Sequence, residues 1–273
     1  MQNIQTIKIA GQPQIAVDVA GAGPLLIMMH GIGGNKTNWR AQVSAFSEFL
    51  TAVAWDARGY GESDDYAGPL NFADFSQDLL RIMDHFGARK AHIMGLSMGG
   101  RISLDFYARY PERVATLTLC DTSAGSKKVA SAEEVDKFLA LRKQPLLDGK
   151  TPADIAPDVA KSLAGVSVTP DKFQLLVDSL AELHAESYMK TLDCVTRYTS
   201  FPEFNTITVP TLCVVGEEDR IALPEYVKHM ADNIPGAIFR ELPKAGHVSN
   251  VERPELFNAA VLPFLQQHRT LAI

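Results

Sequence analysis

Short, almost wholly apolar segments alternate along the chain with segments of helical periodicity. The apolar segments are residues 25–29, 52–55, 91–94, 114–120, 211–215 and 238–242. A strand that is apolar throughout is covered on both faces, as in a parallel sheet. Apolar residues recur every three or four positions in segments 37–49, 72–86, 98–110, 224–233 and 254–268. This alternation predicts an α/β protein with a mostly parallel, doubly wound sheet flanked by helices.

The alternation has a different beginning and one long interruption. Segments 4–9 and 14–19 predict a β-hairpin. Helix-like segments follow Asp121, at 132–143, 171–183 and 186–199, and no convincing strand occurs before Thr211. We predict one core, from residues 1–123 and 206–273, with residues 124–205 inserted as a helical cap. An independent helical domain is the alternative, but the insert is short and both flanks return to the sheet pattern.

The composition excludes several classes of protein. Hydrophobic residues make up 46% and charged residues 21% of the chain, values typical of globular proteins. The net charge is −6 and no Lys/Arg cluster occurs, so nothing indicates nucleic-acid or anionic-lipid binding. No apolar run approaches the roughly 18 residues of a membrane-spanning helix, and residues 1–11 lack the pattern of a signal peptide. We expect a cytoplasmic protein that binds neither nucleic acid nor membrane.

The three cysteines, Cys120, Cys194 and Cys213, favour a reducing compartment. Their number is odd, and two of them stand inside apolar strand-like segments, where a small buried thiol fits. None has a second Cys or a His at metal-ligand spacing, and the HExxH pattern is absent. We therefore expect no metal and no cofactor.

Residues 95–99 form a G-x-S-x-G pattern between an apolar segment and a helical one. In this strand–turn–helix context the pattern predicts a nucleophile elbow with Ser97 at its tip. Small flanking residues allow the strained backbone that such a tight turn imposes. Ser97 would then lie at the carboxyl edge of the sheet, where ligands bind in such folds. The alternative is an ordinary turn that matches by chance.

A serine hydroxyl at neutral pH needs a base that removes its proton. The candidate is His247, which stands shortly after the last apolar segment and so is also expected at the carboxyl edge of the sheet. The other histidines stand in strand or helix patterns or, for His30, in a glycine-rich loop. His247 is therefore the predicted general base.

The imidazole in turn needs an acid that orients it. Asp219 and Asp121 both follow apolar segments, and both keep the chain order serine, acid, histidine. We prefer Asp219, with Asp121 as the alternative.

Attack on a carbonyl also requires donors for the developing oxyanion. The sequence His-Gly-Ile-Gly-Gly at 30–34 follows the strand pattern 25–29, at the expected place for a donor loop. The backbone N–H groups of Ile32 and Met98 are the candidates. The alternative for this loop is a glycine-rich turn that only reverses the chain.

Taken together, these motifs resemble the serine α/β-hydrolase superfamily along almost the whole chain. They are HGIGG at 30–34, DARGYGESD at 56–64, GLSMGG at 95–100, GEED at 216–219 and AGH at 245–247. The resemblance is nearest to the branch that holds 3-oxoadipate enol-lactonases, small carboxylesterases, cofactor-free haloperoxidases and C–C hydrolases. It implies an α/β-hydrolase fold, catalytic roles for Ser97, Asp219 and His247, oxyanion roles for Ile32 and Met98, and a scaffolding role for the 56–64 loop.

The expected activity is hydrolysis of a small carboxylic ester, enol-lactone or related acyl compound through an acyl-enzyme. C–C hydrolases commonly have Asn before the nucleophile and Trp after the histidine, where this chain has Leu96 and Val248, which weakens that alternative. Dehalogenases and epoxide hydrolases use an aspartate nucleophile, so Ser97 argues against both. Perhydrolysis with peroxide and ligand sensing without turnover remain alternatives.

Three arginines on helical segments are candidates for binding a substrate carboxylate: Arg101, Arg142 and Arg197. The alternative is that they are solvated on helix surfaces. The expected partner is a small-molecule substrate, and the oligomeric state is left open.

Overall fold

A computed structural model describes residues 3–123 and 131–272, which form a central eight-stranded sheet. The strands are β1 (Gln5–Ile9), β2 (Ile15–Ala20), β3 (Leu25–Met29), β4 (Thr51–Trp55), β5 (Ala91–Leu96), β6 (Val114–Cys120), β7 (Thr211–Gly216) and β8 (Ile238–Leu242). Their order across the sheet is β1-β2-β4-β3-β5-β6-β7-β8. β2 pairs antiparallel with β1 and β4, and all other neighbours are parallel. The prediction of a mostly parallel α/β sheet is confirmed.

The helices of the described residues mostly connect consecutive strands. They are α1 (Arg40–Phe46), α2 (Phe72–His85), α3 (Met98–Arg109), α4 (Ala132–Leu147), α5 (Pro152–Leu163), α6 (Pro170–Ala181), α7 (Ala185–Arg197), α8 (Pro224–Asn233), α9 (Ser249–Glu252) and α10 (Pro254–His268). α1 packs against α10, and α2 packs against α3. None of these helices has the length and apolar character needed to cross a membrane.

Burial explains why the central strands are apolar throughout. Every residue of β3, β5, β6 and β7 is buried, because helices or neighbouring strands cover them on all sides. β8 lies at one edge of the sheet and exposes Arg240 and Glu241. β1 lies at the other edge and is largely exposed. The parallel strands β3, β5, β6 and β7 end at one edge of the sheet, and the candidate site lies there.

Two helical regions differ from the sequence prediction. Segment 37–49 divides into a 3-10 helix, Lys36–Trp39, followed by the short α1. Helix α5 was not predicted, because Pro152 and Pro157 resemble loop residues. Pro152 occupies the first turn of α5, where its missing N–H costs nothing, and the Thr151 hydroxyl caps the same turn.

Between β6 and β7, the described part of the chain contains four helices, α4 to α7. α5 packs on α6, and α4 packs on α7. The first residues of the predicted insert, 124–130, lie outside the described residues. The division of the chain into a core and a cap stays a prediction, and "cap" below denotes residues 132–197.

Candidate active site

Ser97 stands in the turn between β5 and α3 with φ 53° and ψ −106°. This positive φ is uncommon for a residue with a side chain. Two glycines without a Cβ, Gly95 and Gly99, let the neighbouring backbone pack closely around this turn. A Cβ on Gly95 would lie 2.1 Å from the carbonyl carbon of Gly99, and one on Gly99 would lie 2.3 Å from the Met29 carbonyl oxygen. The Ser97 N–H donates to the Cys120 carbonyl at 2.8 Å, which fixes the turn to β6.

Three side chains from different loops meet at the carboxyl edge of the sheet. His247 Nε2 lies 2.8 Å from Ser97 Oγ, and His247 Nδ1 lies 2.8 Å from Asp219 Oδ2. The second oxygen of Asp219 accepts from the backbone N–H groups of Ile221 (2.8 Å) and Ala222 (3.0 Å). Asp219 is 2% exposed and His247 4%. In this serine–histidine–aspartate chain, Nδ1–H donates to the carboxylate, which leaves Nε2 to accept from the hydroxyl.

The surroundings of His247 change its affinity for a proton. Burial lowers the pKa of His247, whereas the charge and hydrogen bond of Asp219 raise it, and the carboxylates of Asp121 and Glu252 raise it further. The raising effects prevail, so the pKa of His247 lies above its ordinary value of 6.5. Stabilising the imidazolium is what a base needs when it takes a proton from serine.

Asp121, the alternative acid, lies nearby but holds backbone rather than imidazole. Its Oδ1 accepts from the Gly216 N–H at 2.9 Å, and its Oδ2 accepts from the N–H (3.1 Å) and hydroxyl (2.6 Å) of Ser249. Burial, followed by the charge of Asp219, raises the pKa of Asp121 to about 8. The structure thus brings Asp219, and not Asp121, to His247 Nδ1.

The two candidate oxyanion donors belong to different segments: Ile32 lines the same cavity as Ser97, and Met98 follows Ser97 directly in the chain. Met98 is the first residue of α3, where N–H groups lack partners within the helix, and Ile32 lies in the loop after β3. Among the described residues, neither N–H donates to a backbone carbonyl in a turn or loop. Both therefore remain available to a developing negative charge.

His30 fixes the loop that carries Ile32. Its Nε2 accepts from the Ala57 N–H at 3.0 Å, so the ring proton is on Nδ1, which donates to the Gly31 carbonyl at 2.8 Å. Burial lowers the pKa of His30, which favours this neutral form. His30 thus joins the Ile32 loop to the loop after β4.

The loop at 56–64 is organised by a buried ion pair. Asp56 accepts from the Lys36 ammonium at 2.8 Å, from the Lys36 N–H at 2.7 Å and from the Glu62 N–H at 2.9 Å. Both side chains of the pair are almost wholly buried. Each carboxylate oxygen has a donor, as a buried charge requires. These contacts agree with the scaffolding role expected of the loop.

A cavity opens beside Ser97 and His247. Its empty space, including the opening to solvent, is about 420 Å³. The cap covers one side with Leu163, Leu176, Ser179 and Leu180, and the core supplies the rest of the wall, including Ile32, Leu96 and Val248. Sequence reasoning did not identify the cap residues, because their approach to the cavity depends on how α5 and α6 pack against distant parts of the chain. The lining suits an apolar, uncharged group next to the serine.

Arg101 lies away from the cavity wall. Its guanidinium donates to the carbonyls of Val195 (3.0 Å) and Tyr198 (2.6 Å) at the end of α7, and it stacks 4.8 Å from the ring centroid of Phe201. These contacts fasten the cap to α3. Arg101 is thus engaged in contacts outside the cavity lining, and carboxylate binding by this residue stays a prediction.

The other two candidate arginines also lie outside the cavity lining. Arg142 donates to the Ser162 hydroxyl at 2.9 Å. Arg197 is half exposed and pairs with Asp136 at 2.6 Å. The structure therefore does not bring any of the three arginines to Ser97.

The chain matches the model of the alpha/beta hydrolase fold family over residues 24–254. It therefore belongs to that family, as the resemblance in its motifs implied. Many of its relatives and structural neighbours are hydrolases and esterases, and the protein is a hydrolase enzyme.

Particular relatives give the range of activities. The chain is 26% identical to 3-oxoadipate enol-lactonase 2 of Acinetobacter baylyi, over 87% of each protein. It is 28% identical to a 2-hydroxy-6-oxononadienedioate/2-hydroxy-6-oxononatrienedioate hydrolase of Paraburkholderia phymatum, over 90% of this chain and 89% of that one. A thermophilic esterase from Thermogutta terrifontis superposes with a TM-score of 0.87 at 26% identity, covering 97% of this chain and 99% of its own.

Proposed function

We propose that this protein is a serine hydrolase of small, uncharged carboxylic esters or lactones. The observation that carries the proposal is the serine–histidine–aspartate chain, with both hydrogen bonds at 2.8 Å. These residues lie beside a mostly apolar cavity, which supports an uncharged acyl group in the substrate rather than a charged one.

The geometry supports a two-step reaction. Ser97 Oγ attacks the acyl carbon while His247 Nε2 takes its proton, and the N–H groups of Ile32 and Met98 stabilise the oxyanion. When the carbonyl re-forms, the bond to the leaving oxygen breaks and His247 gives that oxygen the proton. Water, activated by the same imidazole, then attacks the acyl-enzyme and releases the acid and free Ser97. Asp219 holds the ring orientation throughout.

The pH dependence of kcat/KM tests the role of His247 as base. Only the neutral imidazole accepts the proton of Ser97, so activity rises with pH as His247 loses its proton. Because the pKa of His247 is raised, we expect the midpoint of this rise above pH 6.5. A pH series with p-nitrophenyl acetate, with buffers matched in ionic strength, measures it. A midpoint well below 6.5, or no rise, would contradict this role.

The cavity predicts a preference for short acyl chains. Each methylene that moves from water into an apolar site contributes about 0.8 kcal/mol, or about fourfold in kcat/KM. The cap closes one side of the cavity with Leu163, Leu176 and Leu180, so we expect a short chain to fit better than a long one. Among p-nitrophenyl acetate, butyrate and octanoate we expect butyrate to have the highest kcat/KM, with octanoate about tenfold lower, on the order of one overpacking penalty.

The control for this prediction is Leu176→Ala. Leu176 is 3% exposed and lines the cap side of the cavity, so truncating it enlarges the space. We expect the variant to hydrolyse octanoate relatively better than the wild type does. An octanoate optimum in the wild type that Leu176→Ala leaves unchanged would place the acyl chain elsewhere. Failure to hydrolyse any of the three esters would argue against the proposed function itself.

A further inference from the structure

The loop that carries His247 is held by hydrogen bonds from four consecutive backbone N–H groups. They run from Gly246 N–H to Glu252 Oε2 (3.0 Å), from His247 N–H to the Leu163 carbonyl (3.0 Å), from Val248 N–H to Glu252 Oε1 (3.3 Å) and from Ser249 N–H to Asp121 Oδ2 (3.1 Å). Two of the four go to Glu252, one on each side of His247. Glu252 is thus the main anchor of the loop.

Glu252 also binds the cap. The oxygen that accepts from Gly246 accepts equally from the Gly165 N–H, at 3.0 Å. Glu252 is 1% exposed, so water cannot replace these donors easily. A carboxylate that accepts three backbone N–H groups fixes the relative position of the segments that supply them. Here these segments are the His247 loop and the cap loop between α5 and α6.

The two loops are in direct contact at Glu252. A Cβ on Gly246 would lie 2.1 Å from the backbone nitrogen of Gly165, so the two chains approach as closely as glycine permits. The far end of the same cap loop is held separately, since Ser167 donates to Glu218 through its hydroxyl (2.6 Å) and its N–H (2.9 Å). The cap loop therefore has an outer anchor at Glu218 and an inner one at Glu252.

We propose that Glu252 is a positioning residue that keeps His247 within hydrogen-bond reach of Ser97 by tying the His247 loop to the cap. This inference rests on the proposed function, because it assigns Glu252 a part in the work of the same imidazole. Glu252 touches neither substrate nor reacting atoms. It acts by restraining the backbone on both sides of the base, and small displacements of a base are costly to turnover.

The test is Glu252→Gln. The amide keeps the size of the side chain but presents N–H toward at least one backbone donor, so one side of the anchor is lost. We expect kcat for p-nitrophenyl butyrate to fall about 100-fold, with KM within about twofold. We also expect the rise of kcat/KM with pH to move to lower pH. Asp219, Asp121 and Glu252 all raise the pKa of His247, and this variant removes one of these charges.

The matched control is Ser167→Ala, which removes one hydrogen bond from the outer anchor of the same cap loop and leaves Glu252 in place. We expect its kcat and pH profile to equal those of the wild type. If Glu252→Gln does not fold, as judged by circular dichroism, Glu252→Asp replaces it. That variant keeps the charge but shortens the reach, so kcat falls while the pH profile stays in place.

Two results would overturn the inference. One is a kcat of the folded Glu252 variant within twofold of the wild type, and the other is a change confined to KM. Failure of the proposed function would look different, because the wild type itself would then hydrolyse no ester. If the wild type is active and the Glu252 variants keep its kcat, only the positioning role of Glu252 is refuted.

Discussion

Ser97→Ala is expected to abolish ester hydrolysis, lowering kcat by roughly 10⁴- to 10⁶-fold, because the proposed reaction begins with a bond from Ser97 Oγ to the acyl carbon. The fold should persist. Alanine keeps the Cβ that already stands at φ 53°, so the backbone strain is unchanged. One hydrogen bond to His247 is lost, which changes the free energy of unfolding by about 1 kcal/mol. Hydrolysis of p-nitrophenyl butyrate and urea denaturation measure the two effects.

Ser103→Ala is the matched control for this variant. Ser103 is a buried serine of α3 whose hydroxyl donates to the Gly99 carbonyl at 2.8 Å, without contact to His247. We expect it to retain wild-type kcat within a few-fold while losing a comparable amount of stability. A Ser97→Ala enzyme as active as Ser103→Ala would show that another group forms the acyl-enzyme or that none forms.

The pair Asp219→Asn and Asp121→Asn separates the two acids that the sequence left in competition. Asn at 219 can no longer hold Nδ1–H, so the imidazole loses the tautomer that accepts from Ser97, and we expect kcat to fall about 10⁴-fold. Asp121 does not contact the imidazole. Its oxygens accept from the backbone N–H groups of Gly216 and Ser249, and Asn keeps the size of the side chain that holds them. We expect Asp121→Asn to lose about tenfold or less, on the order of one misplaced hydrogen bond.

Steady-state kinetics at pH 7 and pH 9 check this pair. Burial raises the pKa of Asp121, so the charge that Asp121→Asn lacks forms more fully at higher pH, and the two enzymes should differ more at pH 9 than at pH 7. A larger loss in Asp121→Asn than in Asp219→Asn would reverse the assignment and make Asp121 the acid partner of His247.

The central strands could be predicted from the sequence because strands that are buried on both faces consist almost entirely of apolar residues. β3, β6 and β8 begin and end as predicted, and the bounds of the other predicted strands shift by one or two residues. The cap was harder. Its helices pack mainly on one another, and α6 also packs on α9. Prolines interrupt the helical pattern of α5, so that helix was missed.

The site likewise contains residues that the sequence could predict and residues that it could not. Ser97, Asp219 and His247 could be proposed because each stands within five residues of the end of a strand, and strand ends of a parallel sheet meet at one edge. Glu252 could not be proposed, since its importance depends on a cap loop distant along the chain. The local sequence shows only an acidic residue five positions after His247, which by itself does not indicate a role. The arginines had no positional signal at all, because a residue type on a helix does not indicate which way it faces.

A fluorophosphonate probe tests the central claim, that Ser97 is a nucleophile activated by His247, more directly than any substrate does. The probe phosphonylates an activated serine whatever the natural acyl group is, and mass spectrometry identifies the modified peptide. We predict stoichiometric labelling of the peptide that contains Ser97, no labelling of Ser97→Ala, and much slower labelling of Asp219→Asn. An unlabelled wild-type protein, or a label on a different residue of an active enzyme, would contradict the account.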